Sequence, residues 1–262
     1  MNLEDKKKII DILKVEFVQA GQLSLDLRKK GLKETIKSDN TPVTNGDLEV
    51  NKIVTSKIKE LTSEIPIVSE ESSMNKDNES LKNFWLIDPI DGTYDYIHNK
   101  DEFTINAALI INKKPEIGII YAPAKKRLFY SYGKNLSFES VNSIEKKLDC
   151  KKTSKVGEVR AVSYSNKLKP IIQKYHEKFK VTEYTKMKSS FKFCVVATGE
   201  YDLYVAEPRA SEWDIAAGHA ILENAGGSVT DFEGNEILYG KKDFKNPSLI
   251  LKSKNLFQWM NN

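Results

Sequence analysis

The chain of 262 residues has only two cysteines, Cys150 and Cys194, and they show no paired spacing. A disulfide framework and a thiolate zinc site are both disfavoured, and a reducing compartment fits this usage. No apolar run approaches the roughly 18 to 20 residues that a membrane-spanning helix needs. The opening residues, Asn2 to Lys8, are charged and hold no apolar signal core. Nor does one sign of charge dominate: 41 basic against 37 acidic residues leave +4. A dedicated nucleic-acid binder would cluster its basic residues, whereas here they are scattered, as at Lys113-Lys114 and Lys146-Lys147. Repeats and low-complexity segments are absent too. The expectation is a cytoplasmic protein without an integral membrane segment. Lysines in the first helix add the alternative of peripheral attachment on the cytoplasmic side of the inner membrane.

Against those absences stand eleven Tyr, eleven Phe and three Trp, enough large side chains for a substantial core. Residues 3 to 30 place Ile9, Ile10, Leu13, Phe17, Ala20, Leu23 and Leu27 at helical spacing, with Gly31 as the stop. After a polar loop from Lys37 to Val43, Thr44 reads as an N-cap with Asp47 three residues on. A second amphipathic helix runs through Val50, Ile53, Val54, Ile58 and Leu61. Strands follow at Ile65 to Ser69, Phe84 to Ile87, Phe103 to Ile111, Ile117 to Tyr121 and Arg127 to Tyr132. The last three, with short turns, read as an antiparallel meander. Beyond residue 160 extended and helical segments alternate, with helices at Lys167 to Phe179, Ser190 to Thr198 and Trp213 to Ala225. The pattern predicts an α+β half over 1–145 joined to an α/β half over 146–262, the boundary falling within Asn135 to Lys155.

The densest chemistry lies in Trp85-Leu-Ile-Asp88-Pro-Ile-Asp91-Gly-Thr93. An apolar strand delivers Asp88, Pro89 is expected to stop the ladder, and Gly92 permits close approach of backbone to ligand. Asp88 and Asp91 can aim carboxylates at one spot, and oxygen-only ligation is what Mg²⁺ requires. A helix starting near Gly92 would add N–H groups for a phosphate. An ordinary Asp-Gly turn explains the segment equally well. Glu70-Glu71 ends another strand, where two like charges repel unless solvated or bound to a cation. Asp214 opens a helix whose small residues Ala216, Ala217 and Gly218 allow tight packing, although a helix-dipole carboxylate needs no further role. Asp47 is likewise explained by capping alone.

Together these segments resemble the inositol monophosphatase superfamily of lithium-sensitive, magnesium-dependent phosphatases. Asp88-Pro-Ile-Asp91-Gly-Thr93 is similar to the family's first signature, and Trp213-Asp214-Ile-Ala-Ala-Gly218 to its second. The Glu pair and Asp47 precede them in the family's order, and the likeness runs from Thr35 to Leu251. Within the superfamily, Asp101 to Leu109, Gly118 to Pro123, Ser189 to Cys194 and Asp214 to His219 look most like the bacterial 3'(2'),5'-bisphosphate nucleotidases. Lys100 matches a basic residue usual in that branch. His98 is present, but the Phe-Pro usual in inositol-phosphate relatives is replaced by Asp101-Glu-Phe.

The resemblance implies a layered α-β-α-β-α sandwich, with most metal ligands in the first half and Asp214 and the specificity residues in the second. It implies that Glu70, Asp88 and the Ile90 carbonyl ligate one Mg²⁺, that Asp88, Asp91 and Asp214 ligate a second, and that Glu70 with waters holds a third. Two or three ions would thus serve the reaction. Thr93 and Asp47 would orient the attacking water, with Glu71 assisting that water or the outer metal shell. Gly92 and Thr93 N–H groups would hold the phosphate. Ser189 and Lys192 are candidates for the sugar or second phosphate, against the alternative of a capped helix with Lys192 in solvent. No histidine base is needed, so His98, His176 and His219 are read as structural or surface residues, and Cys194 as core. The implied substrate is adenosine 3',5'-bisphosphate, by-product of sulfate activation, converted to AMP and phosphate by a monomer or homodimer. The same-fold alternative is an inositol-1-phosphate or fructose 1,6-bisphosphate phosphatase. A non-catalytic binder of Mg²⁺ and phosphate would have no need of the Thr93–Asp47 pair.

Overall fold

The computed structural model describes residues 1–257 apart from 39, 73, 77, 79 and 151–156. Its first helix, α1 (Leu3–Lys30), starts where Asn2 and Asp5 cap each other reciprocally and ends at Gly31, whose φ of 100° suits glycine. Ile9, Ile10, Leu13, Phe17 and Ala20 are buried as their spacing predicts. Further along, the stripe drifts to Gly21 and Ser24, leaving Leu23 and Leu27 half-buried. The stretch read as a polar loop instead carries a small hairpin, β1 (Glu34–Ile36) and β2 (Pro42–Thr44). Then α2 (Asn45–Leu61) begins under the Thr44–Asp47 capping box and buries Val50, Val54 and Ile58.

Next come β3 (Ile67–Ser69), β4 (Phe84–Asp91), the short helix α3 (Thr93–Ile97), β5 (Thr104–Ile111), β6 (Lys114–Ala122), β7 (Arg127–Ser131), β8 (Ser137–Val141) and β9 (Ile144–Lys147). They form one seven-stranded sheet in sequence order, antiparallel except for the β3–β4 pair. Period-2 alternation explains how both faces are covered. Trp85 and Ile87 turn toward α1 and α2, while Phe84 and Leu86 join the core on the opposite face. The hairpin β8–β9 extends this sheet through much of the stretch read as the inter-half boundary. Residues 151–155 of that stretch lie outside the described residues.

The second half holds β10 (Arg160–Ser163), α4 (Pro170–Lys178), β11 (Glu183–Lys186), α5 (Phe191–Ala197), β12 (Leu203–Ala206), α6 (Glu212–Asn224), β13 (Ser228–Thr230) and β14 (Leu249–Lys252). Its five-stranded sheet has the order β11-β10-β12-β14-β13, with β11, β10 and β12 parallel. Helices α5 and α6 lie between the two sheets, and α4 packs with Ala161, Leu203 and Val205 on the far face. The result is the expected α-β-α-β-α sandwich.

The central helix layer is held at unusually short range. A β-carbon on Gly118 would come within 2.3 Å of the Ala217 carbonyl oxygen, and one on Gly218 within 2.4 Å of Phe193. The small residues after Asp214 therefore do allow close packing. Among the described residues no helix is long and apolar enough to cross a membrane.

Candidate active site

Three chain segments bring acids together. Glu70 follows β3, and its N–H donates to the Ile87 carbonyl at 3.0 Å, which pins it beside β4. Asp88 and Asp91 both lie on β4, because Pro89 does not end the strand as expected. Asp88 pairs with Asn106 and Asp91 with Thr104, so the β4 side carries one extra residue. Proline lacks an N–H, and the ladder absorbs that loss as a bulge that re-aims the two carboxylates. Asp214 lies in the first turn of α6 and accepts the Ser211 N–H at 2.8 Å.

Their burial makes these charges costly. Asp88 is 1% exposed, and burial together with repulsion from Glu70, Asp91 and Asp214 raises its pKa well above the ordinary value. Burial also raises Asp91. Asp214 is pushed up to about 8 by burial, then by Asp91 and Glu70. Mutual repulsion of this kind means that the four acids share one electrostatic neighbourhood. Oxygen donors with surplus negative charge are the chemistry a hard divalent cation neutralises.

Their oxygens are nevertheless turned to protein donors, and among the described residues no three acidic, His or Cys side chains close into a ligand set. Asp91 accepts the Ser190 N–H, and Asp88 accepts the Ile90 N–H at 3.1 Å. Lys37 spans Glu70 at 3.2 Å and Glu71 at 2.9 Å. Burial works against its charge, but the two glutamates together raise its pKa. Glu71 is raised by its own burial, despite Lys37. The arrangement suits oxygen ligation in kind, and cation binding would exchange these protein donors for the ion.

Beside the acids, Thr93 donates its hydroxyl either to the Asp47 carboxylate or to the Ile90 carbonyl, each 3.1 Å away. The second Asp47 oxygen accepts from the Thr44 N–H at 2.8 Å and hydroxyl at 2.6 Å. Asp47 is 1% exposed, and burial raises its pKa. Gly92 precedes α3 with φ of 96°, and a β-carbon there would lie 2.8 Å from the Glu102 carbonyl oxygen. Glycine is required by both the angle and the space.

A cavity of about 100 Å³ opens against this cluster, lined by Asp91, Asp214, Ser189, Lys192, Tyr204 and Arg209 among others. Ser189 and Lys192 thus join the acids, and Lys192 is 7% exposed rather than in solvent. Burial, with Arg209 nearby, lowers the Lys192 pKa to about 8 against the pull of Asp91. The Arg209 guanidinium lies 3.4 Å from the Tyr164 ring centroid and the Lys188 ammonium 3.9 Å from it. Burial alone would raise the Tyr164 pKa, but those two cations bring it below the ordinary value. None of Lys188, Lys192 and Arg209 forms an ion pair with a carboxylate among the described residues.

Other expected residues lie apart. Lys100 is mostly exposed, pairs with Asp95 at 3.4 Å and does not line the cavity. His98 stacks on Tyr94, His176 is buried, and His219 is hydrogen-bonded to the Tyr239 hydroxyl at 2.8 Å. Cys194 is core. Sequence reasoning missed Lys37, Tyr164, Lys188 and Arg209. Only the Lys188/Lys192 spacing around Ser189 offered a signal.

Buried acids gathered in a five-layer sandwich fit a metal-dependent phosphatase, and comparison with known proteins shows the family to which the chain belongs. The inositol monophosphatase family model matches residues 5–261. The chain is 34% identical over 236 residues to the 3'(2'),5'-bisphosphate nucleotidase CysQ of Buchnera aphidicola, covering 89% of this chain and 88% of the relative. It is 33% identical over 214 residues to the CysQ of Escherichia coli K12, covering 80% and 85%. The crystal structure of CysQ from Bacteroides thetaiotaomicron superposes with a TM-score of 0.77 at 28% identity, covering 97% of this chain and 99% of that one.

Proposed function

We propose that the protein is a magnesium-dependent phosphomonoesterase whose substrate is a 3'(2'),5'-bisphosphorylated nucleotide, converting adenosine 3',5'-bisphosphate to AMP and phosphate. The observation that carries this reading is a single cavity lined both by the buried carboxylates Asp91 and Asp214 and by the cations Lys192 and Arg209, which form no ion pair with a carboxylate among the described residues. The carboxylates suit cations and a scissile phosphate, the lysine and arginine a second anion. The similarity to bisphosphate nucleotidases supports the same choice.

On this reading Glu70, Asp88 and the Ile90 carbonyl would hold one ion, Asp88, Asp91 and Asp214 a second, and Glu70 a third. Held by these residues, magnesium would supply Lewis acidity toward water and charge neutralisation for phosphoryl oxygens, worth several kcal/mol of barrier. The chain's own part is positional. The Thr93 hydroxyl, backed by Asp47, orients the attacking water, with Glu71 assisting nearby. The Gly92 and Thr93 N–H groups receive the scissile phosphate. Ser189, Lys192 and Arg209, with Lys188 behind Tyr164, receive the sugar and the second phosphate.

The test is a substrate comparison. With Mg²⁺, kcat/KM for adenosine 3',5'-bisphosphate is expected to exceed that for inositol 1-phosphate or fructose 1,6-bisphosphate by about tenfold or more. Li⁺ is expected to inhibit. Preference for inositol 1-phosphate would overturn the substrate assignment.

A further inference from the structure

The turn after Glu70 carries a side chain that this chemistry does not use. Lys76 is half-buried, and its ammonium donates to the Glu70 carbonyl oxygen at 2.7 Å. The same ammonium lies 4.8 Å from the centroid of the Trp213 ring. Trp213 directly precedes Asp214 in α6 and packs against Phe244 at 6.0 Å. The Glu70 residue is therefore gripped from both sides, its N–H by Ile87 of β4 and its carbonyl by Lys76. Asn75 ties the turn back to β3 by donating to the Ile67 carbonyl at 2.8 Å. One ammonium thus bridges the two acid-bearing segments that are farthest apart in sequence.

A cation so placed could act in two opposite ways. As a charge it would repel divalent cations and weaken their binding. As a brace it would strengthen binding, because Mg²⁺ demands near-ideal octahedral geometry and tolerates loose ligands poorly. The Lys76 charge lowers the pKa of Glu71, yet it is not among the main influences on Asp88, Asp91 or Asp214. Its charge acts on Glu71, while its contacts with the Glu70 carbonyl and the Trp213 ring hold the frame.

We propose that Lys76 is a positioning residue that, by bridging the Glu70 carbonyl and the Trp213 ring, braces the Glu70 turn against the start of α6 so that the Glu70 and Asp214 segments can converge on one divalent cation. This rests on the magnesium reading above, and the test reads metal binding without substrate. Mg²⁺ is titrated into wild type, Lys76→Met, Lys76→Arg, Trp213→Leu and the Lys76→Met/Trp213→Leu double variant, following binding heat and melting temperature. Losing one charge-assisted hydrogen bond and one cation–π contact should raise the Mg²⁺ dissociation constant about three- to tenfold in Lys76→Met. Lys76→Arg should stay within about twofold of wild type, and the double variant should be little worse than either single one. Should Lys76→Met prove poorly folded, the Lys76→Arg and Trp213→Leu titrations still decide. Unchanged or tighter Mg²⁺ binding in Lys76→Met or Trp213→Leu overturns the proposal, as does fully additive loss in the double variant. A wild-type protein that takes up no Mg²⁺ sinks the magnesium reading itself. Mg²⁺ binding with the wrong substrate preference sinks only the substrate assignment.

Discussion

Thr93 and Asp47, 46 residues apart, meet at 3.1 Å between hydroxyl and carboxylate, and the same carboxylate caps α2 through Thr44. One oxygen secures a helix while the other faces the acid cluster. Thr93→Val keeps the shape and removes only the hydroxyl. It should lower kcat by about 10²-fold, in the range of lost proton-handling groups, with KM little changed. A variant within threefold of wild type would remove Thr93 from the mechanism.

Asp214 supplies a prediction about pH. Its folded pKa of about 8 lies above the ordinary 3.8, so the folded state holds a proton that the unfolded chain releases. That stabilisation is complete below about 3.8 and is lost as pH rises through about 8. With chelator present, the melting temperature should fall between those limits. Mg²⁺ should restore it, and the restoration should grow with pH because metal competes with protons. A metal-induced shift that shrinks on going from acid to neutral pH would contradict this assignment.

Lys192 should discriminate between substrates. Lys192→Met is expected to raise KM for a bisphosphonucleotide roughly 10- to 100-fold, the usual loss for a charged hydrogen bond. A monophosphate such as inositol 1-phosphate should be affected much less. Equal losses on both would place Lys192 at the scissile phosphate instead.

The glycine beneath α6 is a stability test. Gly118→Ala would set a methyl group 2.3 Å from the Ala217 carbonyl oxygen, where backbone must yield. Chemical denaturation should show a loss of about 1–3 kcal/mol, the common range for overpacking. Wild-type stability would show that the helix has room to move.

The regular parts of this fold were legible because their patterns are local. The α1 stripe from Ile9 to Ala20, the Thr44 cap and the β5–β6–β7 meander all stand where spacing puts them. Pro89 misled because a missing N–H can be absorbed as a bulge inside a strand as well as by ending it. The hairpins β1–β2 and β8–β9 were hidden because one strand of each, β1 and β9, is exposed along its whole length and lacks an apolar alternation. At the site, carboxylates could be guessed from strand ends and helix starts. Lys37 could not, since nothing local marks a lysine whose partners are more than thirty residues away. Arg209 and Tyr164 likewise meet only after β10 and β12 align in the second sheet.

Because α6 is wedged against Gly118 on one side and Phe193 on the other, the helix that carries Asp214 behaves as a fixed post. Adaptation to differently sized phosphate esters then has to come from the rest of the cavity wall, at Tyr164, Tyr204 and the turn that carries Ser189. Substitutions that retune ligand choice should accumulate there and in the residues around Arg209, leaving the post untouched.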